Sequence, residues 1–238
     1  AHTAKFDFNG VVSTRAITSV APQVGGQILF VSEKFQPGAA VPKGELLFEI
    51  DPADFELSLE RSKSEIAAAE SDLALLEAEA TLALTDWNEL FPDEPISDLA
   101  ARRPQIAAAK ARLDGARASL KTAELSLTRT RVFAPEDGTV RSASLSHGQV
   151  VAPNQVVGQL NPLGATEITV SLSPTEVQLL SPLVGRQVAF DGGGKPSGVA
   201  VRVDGELDQR TRLVQVYIKP DDPKSLRIGQ TVTVSVYD

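Results

Sequence analysis

The sequence predicts an elongated, multi-domain α+β protein: a small β domain split by an inserted antiparallel α-helical coiled-coil hairpin, and beside it a small antiparallel β-barrel. Three observations carry this expectation. A spaced motif occurs twice, the stretch between its copies switches from strand-like to helical periodicity, and the last third of the chain alternates apolar and polar residues in short runs.

The motif first appears as Ala21 and Pro22, then Gly26 and Ile28, followed by Gly38, Val41, Gly44, Leu47 and Ile50 at steps of three. It returns as Ala134 and Pro135, then Gly138 and Val140, followed by Gly148, Val151, Asn154, Val157 and Leu160 at the same step. Asn154 takes the place of Gly44, and Asn is the residue that best tolerates a left-handed backbone after Gly. Short apolar stretches broken by Gly, Pro and Asn read as short strands joined by tight turns. Together the two halves make one small flattened barrel.

Between the halves the series Leu59, Ser62, Ile66, Ala69, Leu73, Leu76, Ala80, Ala83, Trp87 steps alternately by three and four, as a coiled-coil seam does. The series Ile106, Ala109, Leu113, Ala116, Leu120, Ala123, Leu127, Thr130 repeats the pattern in a second arm. Asp51 and Pro52 mark the start of the first arm. The turn falls at Phe91, Pro92, Asp93, Glu94 and Pro95, which makes the arms nearly equal, each reaching roughly 50 Å. Pro104 leaves two alternatives open: a kink within a second arm capped at Ser97, or a main helix beginning at Pro104 after a short separate turn over 97–103.

From about residue 162 the alternating runs Ile168/Val170/Leu172, Val199/Val201/Val203, Val214/Val216/Ile218 and Val232/Val234/Val236 predict a small barrel, which the strand-like stretch Phe6–Ser19 joins. Ser173, Pro174 and Glu176 have capping-box spacing and predict one short helix through Leu180.

Composition removes several function classes. The formal charge is −8 with Lys and Arg scattered, which argues against a nucleic-acid-binding face. With no cysteine there is no disulfide, thiolate metal site or cysteine nucleophile. The chain starts Ala1, His2, Thr3 without a charged-then-apolar leader and has no methionine, which reads as a trimmed or mature fragment. No window approaches the roughly 20 apolar residues of a membrane span, so a membrane anchor is expected on a segment outside this chain.

At the run Leu127, Thr128, Arg129, Thr130, Arg131, Val132, Phe133, Ala134, Pro135, Glu136, Asp137, Gly138, Thr139, Val140 the chain resembles the membrane fusion proteins, or periplasmic adaptors (HlyD family), of resistance-nodulation-division (RND) efflux pumps. Gly26 to Asp51 resembles the first half of their biotinyl/lipoyl-like domain. Asp208, Thr211 and Arg212, with Leu226, Arg227, Ile228, Gly229, Gln230, Thr231 and Val232, resemble their barrel strands. The resemblance implies a barrel from 1–19 and 161–238, a split lipoyl-like domain from 20–51 and 131–160, and a hairpin from 52–130. It also implies a non-enzymatic periplasmic adaptor linking an inner-membrane transporter to an outer-membrane channel for export of drugs or other small molecules. Such adaptors assemble as homo-oligomeric rings, typically hexamers. A largely missing membrane-proximal domain is implied as well.

The family's hairpin tip carries an Arg, a Leu four residues on and a Ser seven beyond that. Leu90 and Ser97 match, while Asp86 stands where the Arg belongs and implies a differently charged partner. Asp86, Leu90 and Ser97 are the candidate partner-binding residues, Ser97 having helix capping as its equal alternative role. The competing readings are an adaptor of an ATP-driven exporter, a biotinyl/lipoyl carrier and a passive interaction domain. A carrier needs a lysine at the turn joining its halves, but the residues after Ile50 and Asp51 are Pro52, Ala53 and Asp54; Lys34 and Lys43 read as surface residues. His2 and His147 lack partners at metal spacing, so neither a metal nor any other cofactor is expected. Asp93/Glu94 and Asp221/Asp222 read as solvated turn residues, and Gly192, Gly193 and Gly194 as a hairpin loop. No catalytic residue is expected.

Overall fold

The computed structural model describes residues 5–190 and 197–237. His2 and the run Gly192–Gly194 lie outside them. In chain order the strands are β1 (Lys5–Thr14), β2 (Thr18–Val20), β3 (Gly26–Val31), β4 (Ala40–Val41) and β5 (Leu46–Ile50), followed by helices α1 (Ala53–Leu90) and α2 (Arg103–Thr128). There follow β6 (Arg131–Phe133), β7 (Gly138–Ala143), β8 (Val150–Val151), β9 (Gly158–Pro162), β10 (Thr166–Leu172), the short helix α3 (Pro174–Leu179), β11 (Gln187–Phe190), β12 (Gly198–Leu207), β13 (Val214–Pro220) and β14 (Thr231–Tyr237).

The two half-repeats fold against each other. One four-stranded sheet runs β2-β9-β7-β4 and the other β6-β5-β3-β8, so each draws strands from both halves. Their common core includes Val41, Leu47 and Ile50 from the first half and Val151, Val157 and Leu160 from the second, the apolar members of the repeated motif. The intervening members turn the chain: Gly38, Gly44 and Gly148 have φ of 89°, 81° and 81°, and Asn154 has φ of 62°. The motif repeats because each half needs the same inward apolar positions and the same left-handed turns. Gly158 answers a different need, since a Cβ there would sit 2.5 Å from the Phe35 ring.

The last third, with β1, forms a closed barrel in the order β1-β10-β13-β12-β11-β14. Alternating residues fill its core, among them Val12, Ile168, Val170, Leu172, Val216, Ile218, Val234 and Val236. The expected capping box is present at α3. Glu176 N–H donates to Ser173 Oγ at 3.3 Å, while the Ser173 backbone N–H and hydroxyl each donate to Glu176 Oε2 at 2.7 Å. These hydrogen bonds, the backbone one foremost, hold the Glu176 carboxyl below its ordinary pKa. Thr18 and Ser19 pair with β9, and Asn161 and Pro162 with β7. The chain therefore passes between barrel and paired sheets at 15–17 and 163–165, a few residues from the expected boundaries.

Helices α1 and α2 pack against each other, antiparallel as their cross-helix ion pairs require: Glu79–Arg102, Glu77–Lys110 and Glu70–Arg117, at 2.6, 3.3 and 3.5 Å. Every residue of the two expected seam series is buried or half-buried, with Ser62, Ala80, Ala109, Leu113 and Ala123 the least exposed within the helices. The arms are not equal, however. Helix α1 has 38 residues and α2 has 26, about 57 and 39 Å at about 1.5 Å per residue. Of the two alternatives for Pro104, the second holds: α2 starts at Arg103 with the proline in its first turn, where a missing N–H costs nothing. Residues 98–102 form a separate turn, and Arg102 there adopts a left-handed φ of 55° while its guanidinium pairs with Glu79.

Leu113, 6% exposed, is the most occluded large side chain of the seam, and Leu113→Asp buries an unpaired carboxylate between the helices. The expected cost is about 3–5 kcal/mol from lost burial and desolvation. Far-ultraviolet circular dichroism should lose helix while the strand signal stays; unchanged helicity would show that another face carries the contact.

Candidate functional site: the end of the helical arm

The far end of the arm begins with the last turn of α1. The Phe91 backbone N–H closes on Trp87 O at 2.7 Å, and the Glu94 N–H on Phe91 O at 3.2 Å, turning the chain. Trp87 then clamps the turn: its indole Nε1–H donates to Glu94 O at 2.9 Å, and its ring lies 4.8 Å from that of Phe91. An indole body on apolar neighbours with its N–H on a backbone carbonyl is the arrangement that fixes a turn without a larger core. The turn is thereby a shaped surface.

Asp86, Leu90 and Ser97 are all exposed at this end. Asp86 and Leu90 are four residues apart on one face of α1, and Leu90 is 72% exposed. Ser97 already has work: its Oγ accepts the Ala100 N–H at 3.3 Å and its carbonyl accepts the Ala101 N–H at 2.9 Å, so it caps the turn over 98–102. The capping role, left level with partner binding on sequence grounds, is the one the intramolecular geometry fills. Two apolar residues at the tip escaped sequence reasoning: Phe91, 44% exposed, and Leu99, 70% exposed. Their signal was available, since both are large apolar residues outside the heptad seam. From 86 to 98 the charged residues are Asp86, Glu89, Asp93, Glu94 and Asp98, with no basic one among them. Asp98 is engaged by Arg103.

Elsewhere the chemistry-bearing residues have structural roles. His147 is exposed in a turn. Among the described residues no group of three His, Cys, Asp or Glu stands where it could hold a metal ion. Lys34 pairs with Glu45 at 2.9 Å. Glu167, its side chain only 7% exposed, lies against the barrel wall with Arg202 at 3.3 Å and Arg15 at 3.8 Å. Arg202 also stacks 3.9 Å over the Tyr217 ring, whose hydroxyl donates to Asp204 at 3.1 Å. Desolvation first, then Asp204, pushes the Tyr217 hydroxyl above its ordinary pKa. That network was invisible in sequence because its members come from three strands and a linker. Asp208 Oδ1 gathers the N–H groups of Thr211 and Arg210 and the Thr211 hydroxyl at 2.8–3.0 Å. It thereby shapes the β12–β13 turn, in which Arg212 has a φ of 57°.

Two interlocked half-repeats, a long helical arm between them and an adjoining barrel define the architecture of the chain. The profile of the RND MFP (membrane fusion protein) barrel-sandwich hybrid domain matches residues 16–161, and the chain belongs to this family. It is 30% identical over 213 residues to the antibiotic efflux pump periplasmic linker protein ArpA of Pseudomonas putida, covering 87% of this chain and 52% of that one. Against the multidrug efflux pump subunit AcrA of Escherichia coli K12 it is 29% identical over 163 residues, 65% of this chain and 39% of AcrA. The chain thus spans about half the length or less of these relatives. Its fold is similar to that of MacA from Actinobacillus actinomycetemcomitans, with a TM-score of 0.66 at 23% identity over 99% of this chain and 78% of MacA.

Trp87 is the only tryptophan, so selectively excited tryptophan emission reports the tip. Phe91→Ala removes its ring partner and should shift the emission to the red and raise acrylamide quenching, with helix content unchanged. An unaltered spectrum would mean that the ring contact does not order the turn.

Proposed function

We propose that the chain is the arm-bearing part of a periplasmic adaptor that couples an inner-membrane efflux transporter of the RND type to an outer-membrane channel. It binds proteins and transforms no substrate, and the exported cargo is drugs or other small molecules. The observation that carries this reading is the arm itself. A 38-residue helix leaves the small β domain and returns through a 26-residue one, and the turn between them exposes Leu90, Phe91 and Leu99. An isolated β domain of this size does not need such an arm for its own core. The relatives named as periplasmic linker proteins of efflux pumps supply the setting.

In this reading β1 with β10–β14 acts as a barrel module, β2–β5 with β6–β9 as a split lipoyl-like module, and residues 52–130 as a coiled-coil hairpin. Leu90 supplies apolar contact to the channel and Asp86 selects its charge, while Ser97 acts through the turn it caps. No helix among the described residues is long and apolar enough to cross a membrane. The tether to the inner membrane is assigned to a segment outside this chain.

Self-association into a ring, six-membered by the family's habit, has support from the arm's outer faces. Two residues before or after a seam position lies the opposite side of a helix. There α1 exposes Leu57, Leu75 and Leu82, and α2 carries Ala108, Ala111, Gly115, Ala118 and Leu125. Acidic residues outnumber basic ten to two in α1, and basic outnumber acidic five to two in α2. The exposed leucines on the outer face of one α1 therefore complement the small residues on the outer face of a neighbour's α2 in side-chain size.

Leu90→Asp should abolish drug resistance in a complementation assay while protein level and melting temperature stay normal, because Leu90 contributes almost nothing to the seam. Asp86→Arg should change which channel is accepted, since charge at a contact rim sets partner choice. Full resistance from both variants with the native channel would place docking elsewhere.

A further inference from the structure

We propose that the cleft where the barrel meets the paired sheets is a binding site for a multivalent oxyanion, held by Arg141 from the sheets and by Lys224 and Arg227 from the barrel. The cleft has a volume of about 740 Å³, and these three side chains line it together with Thr139 and Thr166. Among the described residues none of the three cations has an ion-pair partner, in a chain of net charge −8 where many other cations are paired. No carboxylate lines the cleft. Two carboxylates lie nearby without pairing with these cations: Asp222 Oδ1 accepts the Lys224 backbone N–H at 3.0 Å, and Asp137, which lines the smaller adjoining cleft together with Lys224, accepts the Lys43 backbone N–H at 2.7 Å through Oδ1.

Three like charges along one concave wall repel each other, and the low-dielectric walls concentrate their field into the opening. That field favours a multiply charged anion over a monovalent one. Planar guanidinium groups bind two oxygens at once, whereas an ammonium adds a point charge, so two arginines and a lysine suit a phosphate-type group. The cations stand on both sides of the joint through which the chain passes at 15–17 and 163–165. An anion held by all three ties the barrel to the sheets, and its affinity is linked to the angle between them. A free phosphorylated or polycarboxylate solute and a phospholipid headgroup present the same chemistry.

The test titrates inorganic pyrophosphate into the 238-residue chain at low ionic strength, read by calorimetry and amide NMR against a sodium chloride control of equal ionic strength. A flotation arm uses phosphatidylglycerol vesicles with phosphatidylcholine vesicles as reference. The expected result is a dissociation constant tighter than about 1 mM for pyrophosphate, with shifts confined to Thr139–Arg141 and Lys224–Ile228. The pair Arg141→Gln/Arg227→Gln should weaken binding at least tenfold with circular dichroism unchanged. The pair Arg112→Gln/Lys121→Gln, with equal charge loss on α2, should not. Vesicle binding lost in the cleft pair, without pyrophosphate binding, identifies the headgroup as the source of the anion. Binding by neither probe, equal loss in both pairs, or a response matched by chloride overturns the proposal.

Discussion

The antiparallel pairing of β5 with β6 is the contact on which the rest of this structure depends. These strands are the last residues before the arm and the first after it, and they are neighbours in one sheet, Glu49 opposite Arg131 and Phe48 opposite Val132. The Ile50 N–H donates to Thr130 O at 2.8 Å, the Thr130 hydroxyl donates to Leu127 O at 2.7 Å, and Thr130 is 1% exposed. Arg131 Nε reaches Glu49 at 2.7 Å above this pairing. Entry and exit of the insertion are thus held side by side at strand spacing, so that α1 and α2 set out as neighbours. The seam therefore starts in register with the sheet, and the entropy of closing so long an excursion is met at its base.

Rigidity is distributed unevenly along the arm as a result. At the base the helices merge into a fully buried β core. Farther out the seam leucines on the α1 side, Leu59, Leu73 and Leu76, are only half-buried, and on the outer face Leu75 and Leu82 are 60% and 65% exposed. Cross-helix pairs such as Glu77–Lys110 are solvent-exposed and contribute little energy each, so their effect lies in fixing which helix faces which. Order returns at the tip through Trp87, whose ring and N–H hold the turn.

The barrel follows a different economy. It closes its sheet into a barrel, which limits the edge open to pairing with another chain, and it joins the paired sheets through two short connections. Its buried charge, Glu167, is matched by guanidinium groups from two elements, Arg15 in the connection and Arg202 in β12. Because removal of one member of a buried pair costs more than the pair contributes, this cluster fixes how the first connection leaves β1. The joint between the modules is therefore specific on one side and open, with free cations, on the other.

Sequence by itself determined what repeats and what faces inward. The step of three in the two half-motifs marked the same apolar positions that share a core. Asn154 was legible as a left-handed turn residue, the heptad steps identified the seam, and Ser173 with Glu176 announced a capped helix. All are local periodicities or local backbone preferences, which a linear string records directly. Only tertiary structure decided the rest. Pro104 was compatible with a kink or a start, and the length over which α2 meets α1 selected the start and shortened the second arm. Arg102 in a left-handed conformation, Glu167 between two arginines, and Arg141 across a cleft from Lys224 and Arg227 all join residues far apart in the chain. Their chemistry exists only once the strands are paired, because no spacing rule connects positions brought together by the closing of a sheet.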